Sequence, residues 1–329
     1  MAPASLHHEK VCVMDASGRL GSTLVERLLE RGYTVHAAVQ GHVDDLKLNG
    51  VATEREKKLK IFYADPFDYQ SITDALKGCS GLFYAFEPPQ DHPAYDEYMV
   101  EVEVRAAHNV VEACARTETI DKVVFTSSAT AVLWRDNNSQ SLASDLDERH
   151  WSDVNFCRKF KVNTHTHTHT HIYIYIYIYS VFEFLNQRLD CSTVAEKTAW
   201  ALAMDRDINM VSINGGLLME PHLSITHPYL KGAAEMYECG TFVTVDLQFL
   251  VDAHICVFED VSSYGRYLCF NHAITNHEDA IHLARLLTPS APSPPPSYEE
   301  ANMIIQQRLS DKKLNKVMVD FESELLLED

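Results

Sequence analysis

Along the first forty residues the spacing of apolar positions switches between two periods. Lys10–Val13 (KVCV) is a short apolar run that reads as a buried strand. Residues 15–21, DASGRLG, are a glycine-containing turn. Leu24, Val25, Leu28 and Leu29 then recur at helical spacing, and Gly32 stops the helix. Thr34–Val39 (TVHAAV) is a second strand. This βαβ opening predicts a parallel sheet with crossover helices.

The alternation continues. Leu59–Tyr63 and Leu82–Phe86 read as strands, with a helix over residues 69–77 between them. A long helix is predicted over 95–116, with Val100, Val104, Ala107 and Val111 on one face. Val123–Thr126 is a fifth strand that ends at Ser127 and Ser128. A helix near 193–205 leads to a sixth strand at Met210–Ile213. Residues 214–295 are less regular, with a helix near 277–287. Residues 288–298, TPSAPSPPPSY, read as an extended connector, and 299–316 as a final helix with Ile304, Ile305 and Leu309 on one side. The fold class is therefore α/β, a Rossmann-type doubly wound parallel sheet with a smaller C-terminal substrate-binding lobe. The division expected is 1–214 for the NAD(P)-binding domain and 215–329 for the lobe and tail.

One segment breaks the pattern. Residues 164–171 read THTHTHTH and 172–179 read IYIYIYIY. As a strand this would put His165, His167, His169 and His171 on one face, a ladder of metal-ligand type. A compound dinucleotide repeat in the DNA accounts for the same residues, since ACACAC encodes Thr-His and ATATAT encodes Ile-Tyr. That second reading is preferred, so no metal site is assigned. An exposed Ile-Tyr octamer is also a β-aggregation hazard.

Composition narrows the function. The 329-residue chain has 47 acids against 28 bases, a formal net charge of −19. Phosphate backbones and anionic lipid should repel it, so nucleic acid and membranes are not expected partners. No run approaches the apolar length of a membrane span, and MAPASLHHEK has no signal-type apolar region. The eight cysteines are scattered with no CxxC pair, which fits a reducing cytoplasm better than zinc or disulfides. A small-molecule substrate is expected; no protein partner is identified.

The chemistry begins at the first turn. A pyrophosphate binds between a first strand and first helix because glycines admit the backbone and the helix N-terminus supplies N–H groups. In Asp15-Ala-Ser-Gly18-Arg-Leu-Gly21 the second and third glycine positions are kept, and Asp15 replaces the first. Its carboxylate would repel a pyrophosphate unless it turns to cap the helix.

The stretch VCVMDASGRLGSTLVERLLERGYTVHAAV resembles the start of plant cinnamoyl-CoA reductase-like proteins, a divergent branch within the extended short-chain dehydrogenases/reductases. ADPFD at 64–68, VEACARTETIDKVVFTSSATAV at 111–132, DVNFCR at 153–158, AEKTAWALAMDR at 195–206 and NMVSINGGLLMEP at 209–221 carry the same resemblance. It implies an NADP(H)-dependent oxidoreductase acting on the carbonyl of aldehydes, ketones or CoA thioesters in phenylpropanoid-type metabolism. It also implies that Asp15, Ser17, Gly18, Arg19, Leu20 and Gly21 form the phosphate turn, that Asp65 contacts adenine, and that Asn214 begins the loop beside the nicotinamide. Ser128 matches the serine that hydrogen-bonds the substrate carbonyl. Gln40 stands where an arginine would select the 2′-phosphate of NADP, and no acid there favours NAD, so NADP rests on the resemblance and NAD stays open.

The reaction of the family needs a tyrosine to supply a proton and a lysine four residues on to lower its pKa. None of the fifteen tyrosines has a lysine at that spacing. Counting back from Trp200 in the family register places Arg188 and Ser192 at the two positions. Arginine stays protonated and cannot donate, although it can stabilise an oxyanion as a fixed charge. Removing residues 162–185 restores the family spacing just ahead of this helix. Three readings follow: the reductase, a catalytically silent dinucleotide-binding protein, and a mis-spliced product.

Overall fold

The computed structural model describes residues 9–41, 57–86, 97–133, 145–153, 189–219, 242–274 and 308–328. Strands β1 (Lys10–Met14), β2 (Thr34–Val39), β3 (Leu59–Tyr63), β4 (Gly81–Tyr84), β5 (Lys122–Ser128), β6 (Met210–Gly215) and β9 (Gly265–Cys269) form one sheet, in the order β3-β2-β1-β4-β5-β6-β9. All six pairings are parallel. Strand order reverses beside β1, so connections leave β1 and β4 toward opposite ends of the sheet and open a crevice at their carboxyl ends. This is the doubly wound sheet the pattern predicted.

The inner strands have two buried faces, while the edge strand β3 is partly exposed. On β1, Val11 and Val13 join one apolar layer while Cys12 and Met14 join the other. The first layer is covered by α1 (Arg19–Glu30), α6 (Leu247–Glu259) and α7 (Lys312–Glu328). The second lies under α2 (Tyr69–Leu76), α3 (Glu97–Ala115) and α5 (Leu189–Asp205). Short α4 (Thr130–Leu133) follows β5. A second sheet, ordered β10-β8-β7, consists of β7 (Leu217–Met219), β8 (Val243–Asp246) and β10 (His272–Ala273). It shares a third apolar cluster with α4, Leu146 and Leu309.

Two parts of the C-terminal third depart from the sequence reading. β9 and α6 lie beyond residue 215, yet they complete the large sheet and one of its covering layers. The last described helix runs from Lys312 to Glu328; residues 308–311, expected inside a helix over 299–316, are not helical, and 299–307 lie outside the described residues. Leu309, expected on that helix, instead forms a bridge to Leu146. Leu314, Met318 and Phe321 are the buried stripe that docks α7. Lys313 fixes it further, with Nζ donating to the carbonyl of Arg266 at 2.9 Å and lying 4.0 Å from the Tyr267 ring. Phe242 and Phe249 pack into core clusters. The repeat at 164–179, the connector at 288–298 and the helix near 277–287 lie outside the described residues.

Candidate active site

The β1–α1 turn is built for close approach. Asp15 has φ 64°, a left-handed conformation in which Asp is among the few tolerated side chains. Its carbonyl accepts from the Gly18 amide at 3.1 Å. A Cβ on Gly21 would stand 2.2 Å from that same carbonyl oxygen and 2.9 Å from the Ala16 Cα, so α1 packs on the turn at a distance that only glycine permits. Gly18 caps α1 without a side-chain hydrogen bond, and no acid occupies the first helical turn. The amides of Arg19, Leu20 and Gly21 therefore sit at a helix N-terminus shaped for an anion. Ser17 and Gly18 are half-buried and Leu20 is core.

Asp15 is 7% exposed. Burial, then the Glu103 carboxylate, then that of Asp15 push the Tyr84 hydroxyl well above its ordinary range. The Asp15 charge is thus felt at the end of β4, across the crevice beside the turn. The backbone fits a pyrophosphate; the side chain adds a charge of the same sign. Further out, Gln40 is exposed just beyond β2. One oxygen of Asp65 accepts from the Phe67 amide at 2.8 Å, and Ser71 bonds the Asp65 backbone on both sides, so Asp65 shapes the turn into α2.

Ser128 ends β5 and is half-buried. Its Oγ accepts from the Thr130 amide at 3.2 Å and from Thr130 Oγ1 at 2.9 Å. Accepting twice leaves its own proton to donate, which is what a carbonyl oxygen requires. Asn214 is fully buried in β6, with Nδ2 donating to the Ser128 carbonyl at 3.2 Å and to Glu196 at 2.7 Å. Held so, Asn214 supports Ser128 from the neighbouring strand.

Glu196 was not singled out in the sequence. It has no exposed surface, and its two oxygens receive Ser127, Ser212, Asn214 and Arg266. Arg266 also donates to the carbonyls of Glu148, His150 and Ala131, and its guanidinium lies 3.6 Å from the centre of the Trp151 ring. Ser192 is half-buried on α5, one turn before Glu196. Arg188 lies outside the described residues.

Among the described residues no group of three or more His, Cys, Asp or Glu could hold a metal. Nor is any described helix long and apolar enough to cross a membrane.

A family model described as NAD(P)H-binding matches residues 16–153. Cinnamoyl-CoA reductase 1 of Petunia hybrida is 32% identical, over 96% of this chain and 89% of its own length. The bifunctional dihydroflavonol 4-reductase/flavanone 4-reductase of Malus domestica is 31% identical, over 96% and 87%. Yeast methylglyoxal/isovaleraldehyde reductase, solved with NADPH, shares the fold with a TM-score of 0.68 over 94% and 93% of the two chains, at 16% identity.

Proposed function

The chain belongs to the family of NAD(P)-dependent reductases that includes cinnamoyl-CoA reductase and dihydroflavonol 4-reductase, and from that premise we propose that it is an NADP(H)-dependent reductase of a phenylpropanoid-type aldehyde, ketone or CoA thioester. The observation that carries this reading is Ser128, half-buried at the end of β5 with its proton available, on the same sheet edge as the glycine turn.

When bound, reduced nicotinamide supplies a hydride to the carbonyl carbon. The rest falls to the protein. The amides of Arg19 to Gly21 receive the pyrophosphate, with Asp15 as an opposing charge. Ser128 donates to the substrate oxygen and steadies the negative charge that grows there. Arg188 would act as a fixed cation near the same oxygen, on the family register, and the proton that completes the alcohol, or for a CoA thioester the proton taken by the CoA thiolate as it leaves the aldehyde, must come from water or another group because arginine does not release one. Losing a positioned general acid costs about 10²–10⁴ in rate, so turnover is slow beside relatives that carry the tyrosine.

NADP is preferred over NAD by family resemblance. Asp65 retains a role at the adenine end and Gln40 at the ribose. The lobe that takes the substrate comprises β7, β8 and β10 with the segments around them. Buried free thiols at Cys12, Cys79, Cys114, Cys256 and Cys269 support a cytoplasmic setting. The test is NADPH oxidation by the full chain against cinnamoyl-CoA, cinnamaldehyde and dihydroflavonols. Slow oxidation with at least one is expected. Binding of NADPH without oxidation of any carbonyl would overturn the reading.

A further inference from the structure

We propose that Glu196 is the positioning residue of this site, a buried carboxylate that holds Ser128 and the segment at 148–152 in one arrangement. The proposal rests on the reductase reading above. Four elements meet at this side chain. Oε2 accepts from Ser127 Oγ on β5 at 2.8 Å and from Asn214 Nδ2 on β6 at 2.7 Å. Oε1 accepts from Ser212 Oγ on β6 at 2.7 Å and from Arg266 Nε on β9 at 2.8 Å, while Arg266 Nη2 reaches Oε2 at 3.1 Å. Glu196 itself belongs to α5, which carries Ser192. Two of these donors bear directly on Ser128. Ser127 precedes Ser128, and Asn214 also grips the Ser128 carbonyl.

The network extends to the segment at 148–152. Arg266 donates to the carbonyls of Glu148 and His150 and stacks against Trp151. Ser152 in turn donates from Oγ to the Thr130 carbonyl at 2.6 Å and from its amide to Ala131 at 3.0 Å. The carboxylate thus sets the end of β5, the start of α4 and this segment at once. A core that needed only to be filled would use apolar side chains at these positions. A buried charge with five donors instead fixes one geometry, because each donor constrains the oxygen position. A catalytic serine displaced by about 1 Å can lose about a hundredfold in rate.

The experiment uses the full chain and three variants: Ser127→Ala, which removes one donor; Glu196→Gln, which puts an amide among donors; and Glu259→Gln. Glu259 accepts from Arg31 and Tyr33 between α1 and α6, far from Ser128, and controls for simple loss of an ion pair. Amide exchange is followed at 128–133 and 148–152, with 34–39 as reference, beside kcat, KM and NADPH affinity. Ser127→Ala and Glu196→Gln should speed exchange about tenfold at the two site segments and leave 34–39 unchanged. They should lower kcat about 10–100-fold while NADPH affinity holds within about twofold. Glu259→Gln should lower the melting temperature and do neither. Unchanged exchange at 128–133, or an equal rise at 34–39, would overturn the proposal. If Glu196→Gln does not fold, Ser127→Ala decides. If the unvaried chain binds NADPH but oxidises nothing, the reductase reading fails while the exchange data still judge Glu196.

Discussion

The carbonyl oxygen of Asp15 lies 2.2 Å from where a Cβ of Gly21 would be. Gly21→Ala must therefore push α1 off the turn that it helps to form. Overpacking of this kind costs about 1–3 kcal/mol, or a fall of about 1–4 °C in melting temperature for a chain of this length. Thermal unfolding with and without NADPH would check it: the variant should melt lower, and added NADPH should no longer raise its midpoint.

Asp15 is expected to work against the cofactor. Its charge near a pyrophosphate opposes binding by about 1–2 kcal/mol, so Asp15→Asn should tighten NADPH about tenfold. Asparagine keeps the shape and tolerates the left-handed backbone, so a gain with Asn assigns the effect to charge. Asp15→Gly should gain at least as much. The difference should shrink as salt rises, which fluorescence titrations at low and high ionic strength would read.

The missing proton donor can be restored. Arg188→Tyr with Ser192→Lys restores the tyrosine and the lysine four residues on that the reaction of the family needs. Turnover should rise about a hundredfold or more over the parent, with either single change giving far less. Steady-state NADPH oxidation by the four forms would show it. Equal rates in all four would mean that the register drawn back from Trp200 is not the one the active site uses.

Acid should destabilise the fold partly through His254. Burial depresses this imidazole to about 4; its Nδ1 donates to the Leu250 carbonyl and its Nε2 accepts from Thr126. A folded pKa below the unfolded one means the unfolded chain takes up the proton first. The cost is absent above about pH 6.5 and grows, toward about 3 kcal/mol, as pH falls to about 4. His254→Gln should flatten that part of the pH–stability curve, as urea midpoints measured from pH 7 down to pH 4 would reveal.

Much of this arrangement was legible along the chain, for identifiable reasons. Thr34–Val39 and Leu59–Tyr63 were bounded correctly because short apolar runs between polar turns are how parallel strands read. The tight turn at Gly18 and Gly21 and the strand end at Ser128 were legible as local structure, because glycine spacing marks a strand-to-helix turn and an apolar run ending in serines marks a strand end. α6 was not, since LQFLVDAHICVFE is buried nearly all round and offers no polar stripe to reveal its period. The helix expected over 299–316 is interrupted at 308–311, because Leu309 pairs with Leu146, a partner far away in sequence. Glu196 was invisible for the same reason. Beside Lys197 it looks like a solvated helix face, and Arg266, which holds it buried, lies 70 residues on.

The most direct test of the reductase assignment is one continuous titration. NADPH is added to the purified full chain until its fluorescence saturates, and cinnamoyl-CoA or cinnamaldehyde is then supplied while NADPH is followed. Saturable binding and then slow, enzyme-dependent NADPH oxidation with equimolar alcohol or aldehyde product are predicted. Absence of saturable binding, or saturation with no oxidation on any carbonyl offered, would contradict it.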